Sequence, residues 1–228
     1  DVDRAELDKP FPDAAIKICS DLKSFLPMLA SSTSAAPSTQ KPHQVWIEWI
    51  QGIQEKFGVK RADYKEGKSG INPYHFIMSL FERLNSDHIV VTGNATACII
   101  PFQVGRLKQG TRLFSNSGSA SMGFDLPAAL GAAVAEPHRP VICLAGDGSL
   151  MMNIQELATL AGSRLNVGVV ILNNGGYLSI KQTQKNFFGR ENGSSPSSGV
   201  YFPSFTKVAE AFGLAVSHAS LESSWETT

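Results

Sequence analysis

The segment PVICLAGDGSLMMNIQELATLAGSRLNVGVVILNN, residues 140–174, contains two apolar runs separated by a helical pattern. The runs VICLAG and VGVVILNN are short and rich in branched side chains, which favour β-strands. Between them, the helix expected over residues 150–161 has an apolar face made of Leu150, Ile154, Leu157, Ala158 and Ala161. This segment therefore predicts a strand–helix–strand unit whose two strands run parallel.

The same alternation of helices and apolar runs extends in both directions from this unit. On the amino-terminal side, helical patterns at PYHFIMSLFERL, TACIIPFQVGRL and LPAALGAAVAE accompany a strand at HIVVTG and a Gly/Ser-rich loop, SNSGSASMGF. On the carboxyl-terminal side, a polar loop over residues 185–200 precedes a helix at FTKVAEAFG and a last strand at LAVSH. This order predicts an α/β fold in which helices cover both faces of a parallel sheet.

We expect this α/β domain to span residues 71–228 and the rest of the chain to be organised differently. Residues 1–30 contain a strand-like AIKIC and a helical DLKSFLPMLA, too little to close a core, and are expected to be the end of a preceding domain. Residues 31–70 combine a linker rich in Ser and Pro with a helix, VWIEWIQGIQEKF, whose Trp46 and Trp49 are expected to make core contacts. Both ends of the chain look cut, so we expect the last domain to be truncated.

Composition excludes several classes of function. The 20 basic and 20 acidic residues cancel, and no basic run offers a surface for nucleic acid or anionic lipid. No apolar stretch is long enough to predict a membrane span. Three widely separated cysteines argue against a disulfide framework and a zinc site, and they predict three buried thiols in a reducing cytoplasm.

Two turn-forming motifs end the strands of the central unit: GDGS at residues 146–149 and NNGG at residues 173–176. The first opens a helix, whose unpaired backbone N–H groups favour an anion such as phosphate. A carboxylate at Asp147 repels phosphate unless a cation lies between them, and Mg²⁺ takes one or two carboxylates together with phosphate oxygens. If the strands are neighbours, Asn174 and the Gly176 carbonyl lie at the same sheet edge as Asp147. Either motif alone is an ordinary turn, but the pair at this spacing predicts a magnesium–phosphate site.

The GDGS and LNN motifs, with SMGFDLPAALGA upstream, resemble the thiamine diphosphate-dependent decarboxylase and acetolactate synthase superfamily over about residues 71–218. The opening DVDRAELDK resembles the end of that superfamily's Rossmann-like central domain. The resemblance implies thiamine diphosphate and Mg²⁺ as cofactors, with the metal held by Asp147, Asn174 and the Gly176 carbonyl. It implies that the cofactor is held by Gly93, Asn94, Ala95, Ala120, Met122, Gly146, Gly148, Ser149, Asn174, Gly176 and Tyr177.

The resemblance also implies roles for two of these residues and for a missing domain. Met122 matches the large apolar residue that supports the cofactor in a bent shape, which brings the cofactor's amino group to its own thiazolium C2. Ala120 would lend its carbonyl to the aminopyrimidine. The superfamily's catalytic glutamate belongs to a separate N-terminal domain, so we expect no catalytic residue in this chain and no turnover by the chain alone. A second subunit would supply that domain in a homodimer or homotetramer.

The sequence departs from the superfamily pattern at several positions. Branched-chain synthases usually have Gln-His where this chain has Asn94-Ala95, and Asp125 stands where glycine is common. We expect Asp125 to be a helix N-cap with Pro127 in the first turn rather than a catalytic group. The loop NNGGYLSIKQTQKNFFGR also differs, which leaves room for a sugar or another specialised keto acid as substrate. In this loop, the residues that are either solvated or in contact with substrate are Tyr177, Lys181 and Gln184.

Three functions remain open from the sequence. The leading hypothesis is an enzyme that decarboxylates a 2-keto acid and transfers the resulting acyl-anion equivalent to an acceptor, with the cofactor as electron sink. The alternative within enzymes is a decarboxylase that protonates this intermediate to an aldehyde. A different class is a non-catalytic subunit that binds the cofactor or a nucleotide. The chain has neither G-x-x-x-x-G-K-[ST] nor G-x-G-x-x-G, which weakens the nucleotide version.

Overall fold

The computed structural model describes residues 1–11, 13–34, 43–58 and 70–219. The chain forms two compact units, Asp1–Gly58 and Val59–Thr228. The first unit is helical and contains α1 Arg4–Leu7, α2 Leu22–Ser34 and α3 Gln44–Phe57. The strand expected at AIKIC does not form, because residues 17–20 have no regular structure and pair with no strand in the described part of the chain.

The two tryptophans of α3 are exposed rather than part of a core. The rings of Trp46 and Trp49 stack with centroids 4.7 Å apart, yet the two residues are 58% and 54% exposed. Helical spacing places them on one face as predicted, but α3 buries no residue. The prediction of core contacts is therefore wrong: spacing determines which face the rings occupy, and the described residues leave that face uncovered.

The second unit is an α/β domain built on four parallel strands in the order β2-β1-β3-β4. In chain order, its elements are α4 Pro73–Arg83, β1 Ile89–Thr92, α5 Thr96–Val104, β2 Arg112–Ser115, α6 Asp125–Ala135, β3 Val141–Gly146, α7 Asp147–Leu150, α8 Glu156–Ser163, β4 Val167–Leu172, α9 Leu178–Thr183 and α10 Phe205–Ala211. No helix in the described ranges has both the length and the apolar character needed to cross a bilayer. The predicted fold class is confirmed.

Helices cover both faces of this sheet, because alternate residues of each strand point to opposite sides. On one side, Val90 and Leu144 pack against α4 and α5 in a buried apolar cluster. On the other side, Ile89, Val91 and Cys143 pack against α6 and α8. Each such buried side chain contributes on the order of 1.5–3 kcal/mol to the free energy of folding. The two clusters therefore stabilise the sheet whose carboxyl edge carries the GDGS and NNGG motifs.

In the second unit, one strand was not predicted and one predicted strand does not form. The unpredicted strand, β2, lies between the expected helix TACIIPFQVGRL and the expected loop SNSGSASMGF; it starts with an arginine, is only partly buried and pairs with β1 at the sheet edge. The strand expected at LAVSH is absent: residues 214–219 have no regular structure, and Val216 is exposed. The amide of Leu214 instead donates to the carbonyl of Ala209 and closes the end of α10. Apolar composition favoured a strand there, but no described strand lies beside it to pair with.

The helix expected over residues 150–161 is interrupted. It is divided into α7, a 3₁₀ turn at Met151–Asn153, and α8. Because a 3₁₀ turn has about 3.0 residues per turn instead of 3.6, it rotates the face that follows. Leu150 and Leu157 are buried as predicted, but Ala158 is exposed and Leu160 is buried. The interruption lets α7 begin directly at the end of β3, where Asp147 lies.

The cysteines differ from their predicted burial. All three are free thiols, but only Cys143 is buried, while Cys98 is half-buried and Cys19 is exposed. The apolar neighbours of Cys19, Ile16 and Ile18, are themselves exposed, so a locally apolar sequence did not produce a core at that place.

Candidate functional site

The two motifs lie side by side at the carboxyl edge of the sheet. Strands β3 and β4 are paired along their whole length, with Gly146 opposite Leu172 at their ends. Asp147 directly follows the first strand, and Asn173 and Asn174 directly follow the second. The neighbouring position of the two strands, on which the predicted site depends, is therefore observed.

Asp147 is 2% exposed and is surrounded by backbone N–H donors. Its Oδ1 accepts a hydrogen bond from the amide of Gly148 at 2.7 Å. Its Oδ2 accepts from the amides of Gly175 and Gly176 at 2.7 and 3.0 Å. Burial raises the pKa of Asp147 above its ordinary value, and these backbone donors offset only part of that rise. The NNGG turn thus wraps around the carboxylate and joins the two motifs into one unit.

An open cleft lies beside this carboxylate, with a volume of about 580 Å³ that includes the solvent space at its mouth. The predicted site residues that line it are Asn94, Ala95, Met122, Gly146, Asp147, Gly148, Ser149, Asn174, Gly176 and Tyr177. The cleft is lined by no lysine, arginine or histidine among the described residues, so Asp147 supplies its charged side chain. An anionic ligand in this cleft would therefore need a cation to offset its charge.

Two predicted residues, Gly93 and Ala120, are not among the residues that line the cleft. The carbonyl of Ala120 accepts a hydrogen bond from Nδ2 of Asn94 at 2.9 Å, which ties the turn after β1 to the loop before α6. Ala95 and Ala120 both have positive φ angles, 48° and 51°. Such conformations cost on the order of 1–3 kcal/mol for residues other than glycine and cluster at ligand sites.

The loop that carries Met122 is attached to the GDGS turn and to the 3₁₀ turn after it. The amide of Gly123 donates to Oγ of Ser149 at 2.9 Å, and the carbonyl of Gly123 accepts from Nδ2 of Asn153 at 2.7 Å. Gly123 has a φ of 83°, which glycine adopts without strain. Both polar groups of its backbone are thus held, and the adjacent Met122 is half-buried in the cleft wall.

Asp125 does not cap its helix as predicted. Phe124 occupies the N-cap position, and Asp125 is the first residue of α6, with 0% exposure. Its Oδ1 accepts from the amide of Leu126 at 2.9 Å, while Oδ2 makes no hydrogen bond with any described residue. The side chain turns inward because Gly93, which it contacts, has no side chain of its own. Burial raises the pKa of Asp125, and its interaction with the Ser149 hydroxyl opposes that shift.

Of the three loop residues with open roles, only Tyr177 lines the cleft. Gln184 forms two hydrogen bonds with the backbone of Asn192, both at 2.9 Å, and so shapes the loop instead. Lys181 lies 3.8 Å from Glu191, on the same loop. The backbone amide of Tyr177 donates to the carbonyl of Ser194 at 2.9 Å, which attaches the residues directly after the NNGG motif to this loop.

The sequence prediction missed six residues of the cleft wall: Thr96, Ala97, Leu172, Leu178, Ser179 and Ile180. Thr96 and Ala97 open α5 directly after the turn at Asn94 and Ala95, Leu172 ends β4, and the other three form the start of α9 after the NNGG motif. Their signal in the sequence is position, because each lies within a few residues of a predicted ligand-binding turn at the same sheet edge.

Substitution of Gly148 by alanine is expected to displace Tyr177, because a Cβ at this position would overlap with the tyrosine ring. The ring has little room to retreat, since its other contacts include the edge of Phe202 at a centroid distance of 5.7 Å. We expect a loss of about 1–3 kcal/mol in the free energy of unfolding, measured by urea denaturation. Gly131→Ala is the matched control, because a Cβ there meets open space. Equal stability of the two variants would contradict the packing of Tyr177 on the GDG turn.

Comparison with known proteins agrees with this geometry. Residues 92–227 match the family described as "Thiamine pyrophosphate enzyme, C-terminal TPP binding domain". The chain is 30% identical to the acetolactate synthase isozyme 1 large subunit of Escherichia coli (strain K12), over 94% of this chain and 36% of that protein. It is 32% identical to the acetolactate synthase large subunit of Lactococcus lactis, over 97% of this chain and 36% of that protein. It is 31% identical to the chloroplastic acetolactate synthase 1 of Nicotiana tabacum, over 94% of this chain and 32% of that protein.

Proposed function

Because the chain belongs to the thiamine pyrophosphate enzyme family, of which it contains the C-terminal cofactor-binding domain, we propose that it binds thiamine diphosphate together with Mg²⁺. We further propose that the whole enzyme decarboxylates a 2-keto acid and transfers the resulting acyl-anion equivalent to an acceptor. The chain spans 32–36% of the length of the three relatives named above. We propose that the reaction of the whole protein also uses residues outside this chain.

The observation that carries the proposal is the buried carboxylate of Asp147 beside a cleft that no basic side chain of the described residues lines. A diphosphate in that cleft would be repelled by Asp147 unless a divalent cation lay between them. The described residues contain no cluster of three or more His, Cys, Asp or Glu side chains. Magnesium would therefore be held by one carboxylate, the Asn174 amide, the Gly176 carbonyl and phosphate oxygens, a set of hard oxygen ligands that Mg²⁺ accepts.

When bound, thiamine diphosphate supplies the electron sink that stabilises the carbanion left by loss of CO₂. The residues of this chain bind and orient it. Ser149 and the backbone of the GDGS turn would hold the diphosphate, and Met122 would support the bent conformation. The Ala120 carbonyl already accepts from Asn94, but a carbonyl oxygen has a second lone pair for the amino group of the aminopyrimidine.

The start of α9 shapes the end of the cleft where the substrate would react. Leu178 and Ile180 form an apolar wall there, and none of the described lining residues is a cation that could pair with a carboxylate. A substrate carboxylate held against such a wall is destabilised relative to neutral CO₂, which favours decarboxylation. We assign Tyr177 a cofactor contact at the GDG turn.

The remaining parts of the proposal concern residues outside this chain. An N-terminal pyrimidine-binding domain from a second subunit would supply the catalytic glutamate, which makes a homodimer or homotetramer the functional unit. The relatives are named acetolactate synthases, and this favours carboligation over simple decarboxylation for this protein. Free thiols, one of them exposed at Cys19, fit a reducing compartment such as the cytoplasm.

Calorimetry tests the binding part of this proposal. Thiamine diphosphate is expected to bind the intact protein in the presence of Mg²⁺ and to lose most of its affinity when EDTA removes the metal. ATP with Mg²⁺ is the control ligand, since it carries phosphate and metal without the thiazolium. Binding of ATP without binding of thiamine diphosphate would overturn the proposal.

Product analysis tests the reaction. After incubation of the intact protein with pyruvate, acetolactate is expected if the intermediate is transferred to a second keto acid. Acetaldehyde as the main product would show that the enzyme is a simple decarboxylase and not a carboligase. Cofactor binding without any product from pyruvate or other 2-keto acids would indicate a non-catalytic cofactor-binding subunit. The 228-residue chain by itself is expected to bind the cofactor weakly and to form no product.

A further inference from the structure

The loop between α9 and α10 contains a serine-rich turn, residues 194–198, that packs against the NNGG motif. Ser194 is 0% exposed and Ser195 is 6% exposed. A Cβ at Gly176 would overlap with the carbonyl group of Ser194, so the two backbones are in direct contact. Burial of a polar turn is unfavourable unless its polar groups are paired. The partners of this turn therefore show what holds it against the motif.

Ser198 pairs the backbone of the turn from within. Its Oγ accepts hydrogen bonds from the amides of Ser194 and Ser195, at 3.0 and 2.9 Å. It also donates to the carbonyl of Ser195 at 3.1 Å. A hydroxyl group has one proton to donate and two lone pairs, which these three hydrogen bonds match. The Ser198 side chain thus fixes the place of Ser194 beside the NNGG motif.

The carbonyl of Ser194 in turn holds one peptide group of the site. It accepts a hydrogen bond from the amide of Tyr177 at 2.9 Å. That N–H belongs to the same planar peptide group as the carbonyl of Gly176, and in a trans peptide the two point in opposite directions. The hydrogen bond to Ser194 therefore orients the Gly176 carbonyl away from the serine-rich turn.

The Gly176 carbonyl is available to a ligand. Gly176 is buried and lines the cleft, and its amide donates to Oδ2 of Asp147 at 3.0 Å. Its carbonyl accepts no hydrogen bond from any residue in the described ranges. Since more than about 90% of buried backbone carbonyls are paired, this one is an exception that a bound cation would explain.

We propose that Ser198 is a positioning residue for the metal site: it holds the Ser194 carbonyl, which orients the peptide group between Gly176 and Tyr177 so that the Gly176 carbonyl faces the bound cation. This inference rests on the proposed function, because it needs a metal at that carbonyl. Ser198 itself touches no ligand. Mg²⁺ requires near-ideal octahedral geometry, whereas Ca²⁺ accepts irregular geometry. Ser198 therefore contributes to the preference of the site for Mg²⁺.

The first test uses the intact protein without ligands and measures hydrogen exchange at the Tyr177 amide. Ser198→Ala is expected to speed this exchange about tenfold or more, because the turn that carries its acceptor loosens. The amides of β3 and β4 are expected to keep their protection. Ser197→Ala is the matched control on the same turn, since the only contact of that hydroxyl with a described residue is with Oγ of Ser195. Ser198→Thr, which keeps the hydroxyl, is expected to restore slow exchange.

Two results of this test would overturn the proposal. One is unchanged exchange at Tyr177 in Ser198→Ala, which would show that the turn does not need its hydroxyl to hold this peptide group. The other is loss of protection throughout β3 and β4, which would give Ser198 a general structural role instead.

The second test compares two metal ions in the presence of thiamine diphosphate. In calorimetric titrations of the intact protein, Ser198→Ala is expected to weaken Mg²⁺ about tenfold, as loss of a group that orients a metal ligand does. Ca²⁺ is expected to weaken by about threefold or less, because its ligands need not be octahedral. Equal losses for the two ions, or none, would contradict a positioning role.

The two tests separate this inference from the proposed function. Failure of the wild-type protein to bind thiamine diphosphate with Mg²⁺ would refute the proposed function and, with it, the metal role of Ser198. Exchange at the Tyr177 amide would still show whether Ser198 orients that peptide group. Binding of cofactor and metal by the wild type, with the same Mg²⁺ affinity in Ser198→Ala, would refute only the role of Ser198.

Discussion

Replacement of Asp147 by asparagine is expected to weaken the Mg²⁺-dependent binding of thiamine diphosphate by about a hundredfold or more, because the variant loses the one carboxylate that lines the cleft in the described part of the chain. The wild-type carboxylate accepts backbone N–H groups at both oxygens. An amide at this position must turn its NH₂ group toward at least one of these donors. The NNGG turn would then be pushed away from β3, and Asn174 and Gly176 would lose their position relative to the metal.

Calorimetric titration with thiamine diphosphate and Mg²⁺ measures this loss, and far-UV circular dichroism shows whether the variant remains folded. We also expect a decrease of about 1–3 kcal/mol in the free energy of unfolding without cofactor, the cost of an unmatched buried donor. Asp87→Asn, which makes the same substitution at an exposed carboxylate, serves as the control. Wild-type affinity in Asp147→Asn would exclude Asp147 as a metal ligand.

Substitution of Gly93 by alanine is expected to destabilise the protein by about 2–3 kcal/mol, because a Cβ there would overlap with the Asp125 carboxyl group. Gly93 is absent from the residues with positive φ, so an alanine fits the backbone and the clash is entirely with the side chain. Asp125 is fully buried and its Oδ1 accepts from the amide of Leu126, so the carboxyl group cannot move aside without losing this hydrogen bond or displacing its neighbours.

The double variant Gly93→Ala with Asp125→Gly is the decisive comparison. Removing the carboxyl group makes room for the methyl group, so we expect the double variant to be more stable than Gly93→Ala alone by at least about 1 kcal/mol. Urea denaturation of the wild type, both single variants and the double variant gives this coupling energy. Additive effects would show that the two residues do not compete for the same space.

Much of the fold was predictable because its signals are local. The runs VICLAG and VGVVILNN contain branched side chains at strand length, and the helices between strands have apolar faces. The position of Asp147 beside the NNGG turn followed from one rule, that the carboxyl ends of neighbouring parallel strands meet at one edge. The structure bears out this neighbourhood of β3 and β4.

The parts that were missed depend on contacts between residues distant in sequence. β2 becomes a strand because β1 lies beside it, and LAVSH does not because no described strand does. The sequence predicts a helix cap at Asp125. Its side chain turns inward because Gly93, 32 residues earlier, has no side chain to occupy that space. The exposure of Trp46 and Trp49 is similar, because periodicity determines a face but not what covers it.

In the strand order β2-β1-β3-β4, the two walls of the cleft follow β1 and β3, and the chain leaves these two strands in opposite directions. From β1 the chain continues outward through α5 to β2, and from β3 it continues the opposite way through α8 to β4. The crevice between β1 and β3 is thus a topological switch point, the place where ligands bind in open parallel sheets. Each wall of the cleft belongs to a separate stretch of chain, and the loop before α6 joins them, because it accepts from Asn94 on one side and donates to Ser149 on the other. A substitution on either wall is therefore expected to be felt on the other through this loop.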